Sequence, residues 1–131
     1  MKIIFIGDIV GRSGRDAVKN SLPILKEKYN PEIIIANAEN AASGYGLTKK
    51  IAEELFDLGI SILTLGNHSW DQREMLSYIE ECGKIIRPIN YPDGVPGKGY
   101  YKIKLPDGKS ILIIQAMLRL FMGISLDDPF Q

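Results

Sequence analysis

Three short apolar runs rich in β-branched residues most constrain what this chain can fold into. They cover Ile3–Ile6, Ile33–Ala36 and Ile60–Leu65, and a polar residue or a glycine stands on each side of every run. Runs of this length and composition are typical of parallel strands buried on both faces. We therefore predict a parallel sheet whose strands alternate with covering helices.

The connections between these runs carry helix signals. Pro23 lies within the first helical pattern and predicts a kink or a restarted helix there. Thr48 can cap a second helix and Gly59 can end it, while Asp71 and Glu74 have the spacing of a capping box for a third. The apolar residues that define the first helix recur at helical spacing, at Val18, Leu22, Leu25 and Tyr29.

The amino-acid composition changes in the last third of the chain. Residues from Arg87 to Gly99 are rich in Pro and Gly and predict a long ordered loop. Two strands should follow, Tyr100–Lys104 and Ser110–Ile114, joined across Pro106-Asp107-Gly108 as a hairpin. The predicted fold is α/β, with a parallel βαβαβα unit followed by a β-hairpin, in one three-layer domain over residues 1–131.

Charge and cysteine content narrow the partners and the compartment. The 131 residues carry 16 basic and 16 acidic side chains, which are interleaved, so the basic footprint of a duplex-binding protein is missing. The single cysteine, Cys82, rules out an internal disulfide and suits a reducing compartment. The N-terminal apolar run stops at Gly7, and no later run is long enough to span a membrane. We expect a cytoplasmic protein that binds neither duplex nucleic acid nor membranes.

Polar side chains follow each of the three predicted parallel strands. Asp8 follows the first, Glu39 and Asn40 the second, and Asn67 and His68 the third. Each residue alone is more often a turn or cap residue, but the carboxyl ends of parallel strands meet at one edge, where open α/β sheets bind ligands. Carboxylate and amide oxygens suit Mg²⁺ or Mn²⁺, and Glu39 is placed to bridge two such ions. His68 could then give a proton to a departing alkoxide.

Two glycine-containing segments leave alternatives open. The spacing of the glycines in the first matches neither the dinucleotide fingerprint nor the P-loop. The segment Gly11–Gly14 is either a turn with a serine cap or a helix start that binds an anion with help from Arg12. The segment Ser43–Gly46 is either a turn or a loop whose Tyr45 stacks on a substrate base.

Four segments of the chain carry recognisable motifs, namely Gly7–Arg12, Asn37–Asn40, Gly66–Asp71 and Arg87–Pro92. Together they resemble the calcineurin-like metallophosphoesterases, in particular a bacterial subfamily of phosphodiesterases associated with 2′,3′-cyclic nucleotides. The resemblance implies that Asp8, Glu39 and Asn67 are metal ligands, that His68 is the proton donor, and that Asn40 lines the site. It also implies two divalent ions, Mn, Fe or Mg, and a small phosphodiester or cyclic nucleotide as substrate.

The resemblance covers only the N-terminal half of the family's α/β-β-α sandwich. Family members supply further histidine ligands in a second half, whereas His68 is the only histidine here. At the first motif the broader family has Asp-x-His, and this chain has Val10 two residues after Asp8, as the bacterial subfamily does. We therefore expect an incomplete site in this chain, with weak or partial metal binding and little or no activity by the chain alone. The second hypothesis is a catalytically silent fragment or remnant that acts as an oligomerisation or binding module. A third hypothesis is an unrelated nucleotide-binding α/β domain.

The C-terminal tail, residues 116–126, is expected to promote self-association. It contains eight apolar residues with no later element to cover them, and finished monomers rarely expose such a patch. Where the subfamily has Gly-Arg, this chain has Leu118-Arg119. We expect a fragment of a longer protein or a shortened homologue that forms a homo-oligomer through the tail. The eight residues are Ala116, Met117, Leu118, Leu120, Phe121, Met122, Ile124 and Leu126.

Overall fold

The computed structural model describes residues 1–105, 107–120, 122–124 and 126–130. Strands and helices alternate as predicted, and one short strand is added after the third helix. The first six elements, with their bounds, are β1 (Ile3–Ile6), α1 (Gly11–Tyr29), β2 (Ile33–Asn37), α2 (Lys49–Asp57), β3 (Ile62–Thr64) and α3 (Met75–Cys82). The last three are β4 (Ile85–Ile86), β5 (Tyr100–Lys104) and β6 (Ser110–Ile114).

The first four strands form one parallel sheet in the order β1-β2-β3-β4. Register pairs Ile3 with Ile33, and Ile35 with Ile62. Because connections between parallel strands are right-handed, an order that follows the chain places every connecting helix on the same face. The opposite face of the sheet is left for another layer.

The two faces have separate apolar clusters. On the helix face, strand residues such as Ile34 and Leu63 pack with Leu22 of α1 and Leu55 of α2. On the other face, the antiparallel hairpin of β5 and β6 covers four buried isoleucines of the sheet, which are Ile33, Ile35, Ile62 and Ile86. The predicted three-layer α/β architecture is therefore confirmed.

The hairpin has the predicted bounds. Gly108 adopts a positive φ of 84°, and the Leu105 N–H donates to the Lys109 carbonyl over 2.8 Å to close the turn. The Lys109 N–H also donates to the Asp107 side chain over 3.0 Å. Pro106, the first residue of the predicted turn, lies outside the described residues.

Of the three helix predictions, the Thr48 cap is confirmed, the restarted helix at Pro23 is wrong, and the capping box is wrong. The Thr48 hydroxyl accepts from the Ile51 N–H, as a cap should. Helix α1 runs through Pro23 without a break, so no second helix restarts there, and Leu22 directly before the proline is buried in the core. The capping box is absent, since α3 begins only after Glu74 and no side chain caps it. The turn that contains Asp71 precedes the helix instead.

The third strand is shorter than predicted, and β4 was not predicted. Only Ile62–Thr64 are in strand conformation, and at the start of the predicted run the Ile60 N–H bonds back to the Leu55 carbonyl of α2 instead of to a neighbouring strand. Strand β4 has two residues, too few for a periodic signal.

Part of the C-terminal tail is held by one buried side chain. Asn90 donates from Nδ2 to the carbonyls of Met117 and Asp127, and its Oδ1 accepts from the Met117 N–H. Met117 and Leu126 are buried as a result, which corrects the expectation of a fully uncovered tail, whereas Leu118 stays exposed. Phe121 of the predicted patch lies outside the described residues.

In the portion of the chain that the structure describes, no helix is both long and apolar enough to cross a bilayer.

Candidate active site at the carboxyl edge of the sheet

Backbone hydrogen bonds extend the parallel ladder beyond the strand ends. The Ile9 N–H donates to the Asn37 carbonyl over 3.0 Å, and the Ala38 N–H donates to the Thr64 carbonyl over 3.0 Å. The Leu65 N–H donates to the carbonyl of Ile86 in the same way. The loops after β1, β2 and β3 therefore leave the sheet side by side, and their polar residues lie at one edge.

Glu39 is held at the centre of this edge. The Asn37 side-chain amide donates to Glu39 Oε1 over 3.2 Å, and the His68 N–H donates to Oε2 over 3.5 Å. A Cβ on Gly66 would overlap both carboxylate oxygens, so only glycine leaves room for Glu39 here. The second and third strand ends are thus joined through one carboxylate.

Asp8 and Asn40 join the first strand end to the second. The Asn40 side-chain amide donates to Asp8 Oδ1 over 2.7 Å. The Asn40 backbone carbonyl accepts from the N–H groups of Gly11 and Gly44, each over 2.9 Å. Asn40 therefore orients Asp8 and at the same time fixes the start of α1 and the adjacent loop.

The Gly66 carbonyl anchors the turn that presents Asn67 and His68. It accepts from the Ser69 N–H over 3.2 Å, from the Ser69 hydroxyl over 2.6 Å and from the Tyr91 hydroxyl over 3.2 Å. Ser69 is fully buried, and burial raises the pKa of Tyr91. Asn67 is half-buried beside this turn. The turn therefore presents the two polar side chains from a fixed backbone.

The His68 ring has two neighbours. Its Nδ1 lies 2.5 Å from Asp71 Oδ2, and the Tyr45 ring meets it edge-on with centroids 5.9 Å apart. Tyr45 itself is exposed, and its backbone carbonyl accepts a hydrogen bond from the Gln72 side-chain amide over 2.7 Å. The loop is a turn, as one of the two sequence hypotheses held. Stacking of Tyr45 on a base stays a prediction.

Among the described residues, Arg12 has no hydrogen bond or ion pair with these site residues; its ion pair is with Asp16. Its side chain is 88% exposed, and its Nε lies 3.7 Å from Asp16 on the same helix. It borders a cavity of about 420 Å³ between α1 and α2, where Glu54 and Asp57 offset the basic residues. The N-terminus of α1 is partly used within the protein, since Gly11 and Gly14 donate to backbone carbonyls, and no serine caps it. A phosphate-binding role for Arg12 stays a prediction.

The structure thus brings together five of the six candidate residues, namely Asp8, Glu39, Asn40, Asn67 and His68. Asn37 and Tyr91 were not predicted as supporting residues, and Asp71 was predicted to be a helix cap. The positions of Asn37 and Tyr91 inside matching motifs were the available signal. Their roles depend on contacts between segments far apart in the chain.

The donor set fits part of a site for a hard divalent cation. Asp8 and Glu39 contribute carboxylates, and Asn40 and Asn67 contribute amide groups, which are the ligand types that such ions prefer. Within the described residues, however, no three His, Cys, Asp or Glu side chains are grouped so that they could hold an ion. A complete coordination shell would need further donors.

Comparison with known proteins identifies relatives over nearly the whole chain. The family model described as YmdB-like protein matches residues 4–131. A 2′,3′-cyclic-nucleotide 2′-phosphodiesterase of Bacillus subtilis is 47% identical, covering 99% of this chain and 48% of that protein. A putative phosphatase/phosphodiesterase of Mycoplasma genitalium is 37% identical, covering 99% of this chain and 46% of that protein.

Solved structures agree with this relationship. A hypothetical protein from Thermus thermophilus superposes with a TM-score of 0.90 at 42% identity, covering 99% of this chain and 50% of that one. A phosphatase from Mycoplasma pneumoniae superposes with a TM-score of 0.89 at 32% identity, with coverages of 99% and 48%. The chain spans about half the length of these relatives. By sequence and by fold, it belongs to the YmdB-like protein family.

Proposed function

We propose that this chain contributes the Asp8, Glu39, Asn67 and His68 portion of a metal-dependent phosphodiesterase site, with a 2′,3′-cyclic nucleotide or a similar small phosphodiester as substrate. The observation that carries the proposal is the position of Glu39, held between the Asn37 amide and the His68 N–H against Gly66. The names of the relatives support this substrate class. The chain corresponds in this proposal to the N-terminal half of the calcineurin-like sandwich and works in the cytoplasm.

Each residue has a distinct role in the proposal. Asp8, Glu39 and Asn67 would hold divalent ions, Mn, Fe or Mg, with Glu39 shared between two of them. Bound ions of this kind supply Lewis acidity and lower the pKa of a coordinated water. Asn40 keeps the Asp8 carboxylate oriented through their 2.7 Å hydrogen bond. Donors from outside the described residues complete the shells.

His68 is assigned the proton transfer. It follows Asn67 directly, and its backbone N–H donates to Glu39, so the residue is next to the proposed metal ligands in the chain and bonded to one of them. An alkoxide leaving group is a strong base, and a proton delivered to it as the phosphorus–oxygen bond breaks lowers the barrier. His68 therefore governs departure of the leaving group, while the carboxylates govern metal binding.

A second candidate function is a catalytically silent module that binds or oligomerises. One observation favours it: the described residues offer two carboxylates at the sheet edge and no three-residue cluster of the usual ligands. Apolar side chains such as Leu118 and Leu120 are also exposed and available for association. Measurements of metal binding and of hydrolysis separate the two candidates.

The metal-binding part is tested by adding Mn²⁺ to the ¹⁵N-labelled chain, because the paramagnetic ion broadens amide signals near its site even when binding is weak. We expect signals around residues 8, 39 and 67 to broaden first, with weak affinity by isothermal titration. Glu39→Gln should greatly reduce the broadening, whereas Glu53→Gln, an exposed change of the same chemistry on α2, should not. The proposal would be contradicted if Glu39→Gln left the broadening unchanged, or if the titration showed two high-affinity Mn²⁺ sites.

The catalytic part is tested with two substrates that differ in leaving group, using excess protein with Mn²⁺. Glu39→Gln should reduce hydrolysis of both 2′,3′-cyclic AMP and bis(p-nitrophenyl) phosphate. His68→Ala should slow the cyclic nucleotide by about 10²–10⁴-fold and the aryl ester much less, because an aryl oxide departs without a proton. Equal losses on both substrates, together with lost Mn²⁺ binding, would make His68 a ligand. No hydrolysis by the wild-type chain would favour the silent module.

A further inference from the structure

His68 and Asp71 are in contact within the turn that precedes α3. Nδ1 of His68 lies 2.5 Å from Oδ2 of Asp71, and both side chains are about one-third exposed. We propose that Asp71 is a positioning residue that holds neutral His68 in the Nδ1–H tautomer and turns Nε2 toward the leaving group. The catalytic meaning rests on the proposed function, whereas the tautomer itself does not.

The chemistry of a carboxylate assigns the proton. An ionised carboxylate only accepts hydrogen bonds, so the short contact requires the hydrogen to be on Nδ1. When the ring is an imidazolium, Nε2 carries the second proton. Transfer to the leaving oxygen breaks the Nε2–H bond, forms an O–H bond and leaves the neutral Nδ1–H tautomer. In that tautomer Nδ1–H already donates to Asp71, so the imidazole ring does not have to rotate after the transfer.

Other contacts restrict the ring and the turn. The Tyr45 ring stands edge-on to the imidazole with an interplanar angle of 87°. Gly46, at a φ of 78°, packs so closely that a Cβ there would lie 3.1 Å from the His68 carbonyl oxygen and 3.2 Å from Asp71 Cβ. The Tyr45 loop and the turn from His68 to Gln72 therefore hold each other in place.

A purely structural role for Asp71 as a helix cap does not account for this contact. Helix α3 begins at Met75, its preceding residue is Glu74, and no side chain caps it. The Asp71 carboxylate lies instead on the imidazole, three residues back along the chain. Asp71, which has the spacing of a capping-box residue, therefore contacts the His68 ring and does not cap the helix.

The tautomer can be measured directly, because His68 is the only histidine in the chain. Long-range ¹H–¹⁵N correlation of the ring, recorded well above the histidine titration range and without metal, distinguishes the protonated from the unprotonated nitrogen. We expect wild-type Nδ1 to be protonated and Nε2 unprotonated. In Asp71→Ala we expect a shift to mostly Nε2–H, the form that free imidazole side chains prefer in water. Asp57→Ala, an exposed acidic residue on α2, should retain the wild-type spectrum.

Two results would overturn the assignment. One is a wild-type ring protonated mainly on Nε2, which decides the matter even if Asp71→Ala fails to fold. The other is a folded Asp71→Ala that keeps the Nδ1–H form. Neither depends on metal binding or turnover, so an inactive chain with the expected tautomer would count against the proposed function alone.

Discussion

The two faces of the parallel sheet are covered unequally. On the helix face, coverage reaches the edge strand β1, where Ile4 and Ile6 pack against the main cluster. On the hairpin face, the isoleucines of β2, β3 and β4 are buried, but Ile3 and Phe5 of β1 remain 41% and 63% exposed. A helix follows each of the strands β1, β2 and β3, whereas the hairpin has only two strands to cover a sheet of four. The helix face therefore has the larger buried cluster, and the hairpin face keeps an uncovered apolar area at β1 where association is expected.

The largest expected effect comes from the centre of the helix-face cluster. Leu63 is fully buried in β3, and Leu63→Ala should lower the free energy of unfolding by about 2–5 kcal/mol, through lost transfer energy and a residual cavity. Leu118→Ala makes the same chemical change at a 66% exposed position and should cost less than about 0.5 kcal/mol. Urea unfolding measures both. Similar costs at the two positions would remove the distinction between the covered and uncovered regions.

The next effect concerns Asn90, which ties the tail to the loop after β4. Asn90→Ala leaves the Met117 N–H and two carbonyls without their partner and should cost about 1–3 kcal/mol. Amide exchange at Met117 should accelerate as well. Asn20→Ala, at an exposed site on α1, serves as the control. Unchanged exchange at Met117 would show that other contacts hold the tail.

A smaller effect should appear in alkaline solution. Burial, followed by the neighbouring Cys82, raises the pKa of Tyr78 in the helix-face cluster from 10.0 to about 12. Below pH 10 the tyrosine keeps its proton in both states, and above it the unfolded chain ionises first. Stability should therefore fall between about pH 10 and 12, on the order of 1–2 kcal/mol. Urea midpoints should fall less steeply with pH in Tyr78→Phe than in wild type or in the exposed control Tyr100→Phe; parallel curves would contradict the assignment.

The smallest effect for each side chain is expected in self-association. Burying half of an exposed leucine on a partner gains roughly 1 kcal/mol, at about 25 cal/mol per Å². We expect the chain to associate, and the double variant Leu118→Ser with Leu120→Ser to sediment more slowly at the same concentration. Ile24→Ser, at an exposed site on the helix side, should leave sedimentation velocity unchanged. A wild-type chain that stays monomeric across the concentration range would refute a role for the tail in assembly.

The sequence predicted the strands that carry strong local signals. Continuous β-branched runs marked β1 and β2, and explicit turn residues defined both arms of the hairpin. Strand β4 could not be predicted, because two residues have no period and their conformation depends on pairing with Leu63 and Thr64. Pro23 does not interrupt α1, and Leu22 directly before it is buried in the core, where packing offsets the local cost of the proline.

The candidate site was predictable where chemistry coincides with strand ends. Asp8, Glu39, Asn40, Asn67 and His68 are all recognisable as polar residues that follow parallel strands. The supporting contacts were not, because Asn37, Gly66 and Tyr91 act through partners brought close only by folding. Asp71 shows the limit clearly, since the same spacing suits a helix cap and a histidine partner.

The order of the elements, the parallel sheet and the group of polar residues at its carboxyl edge all follow from local hydrophobic period and from the direction of the strands. Folding in three dimensions sets which of those residues touch, which nitrogen of His68 faces a carboxylate, and which apolar side chains stay uncovered. These properties depend on distances between segments about thirty residues apart in the chain, such as the link from Asn40 to Asp8. No local pattern specifies such distances, because they are set by how the layers pack.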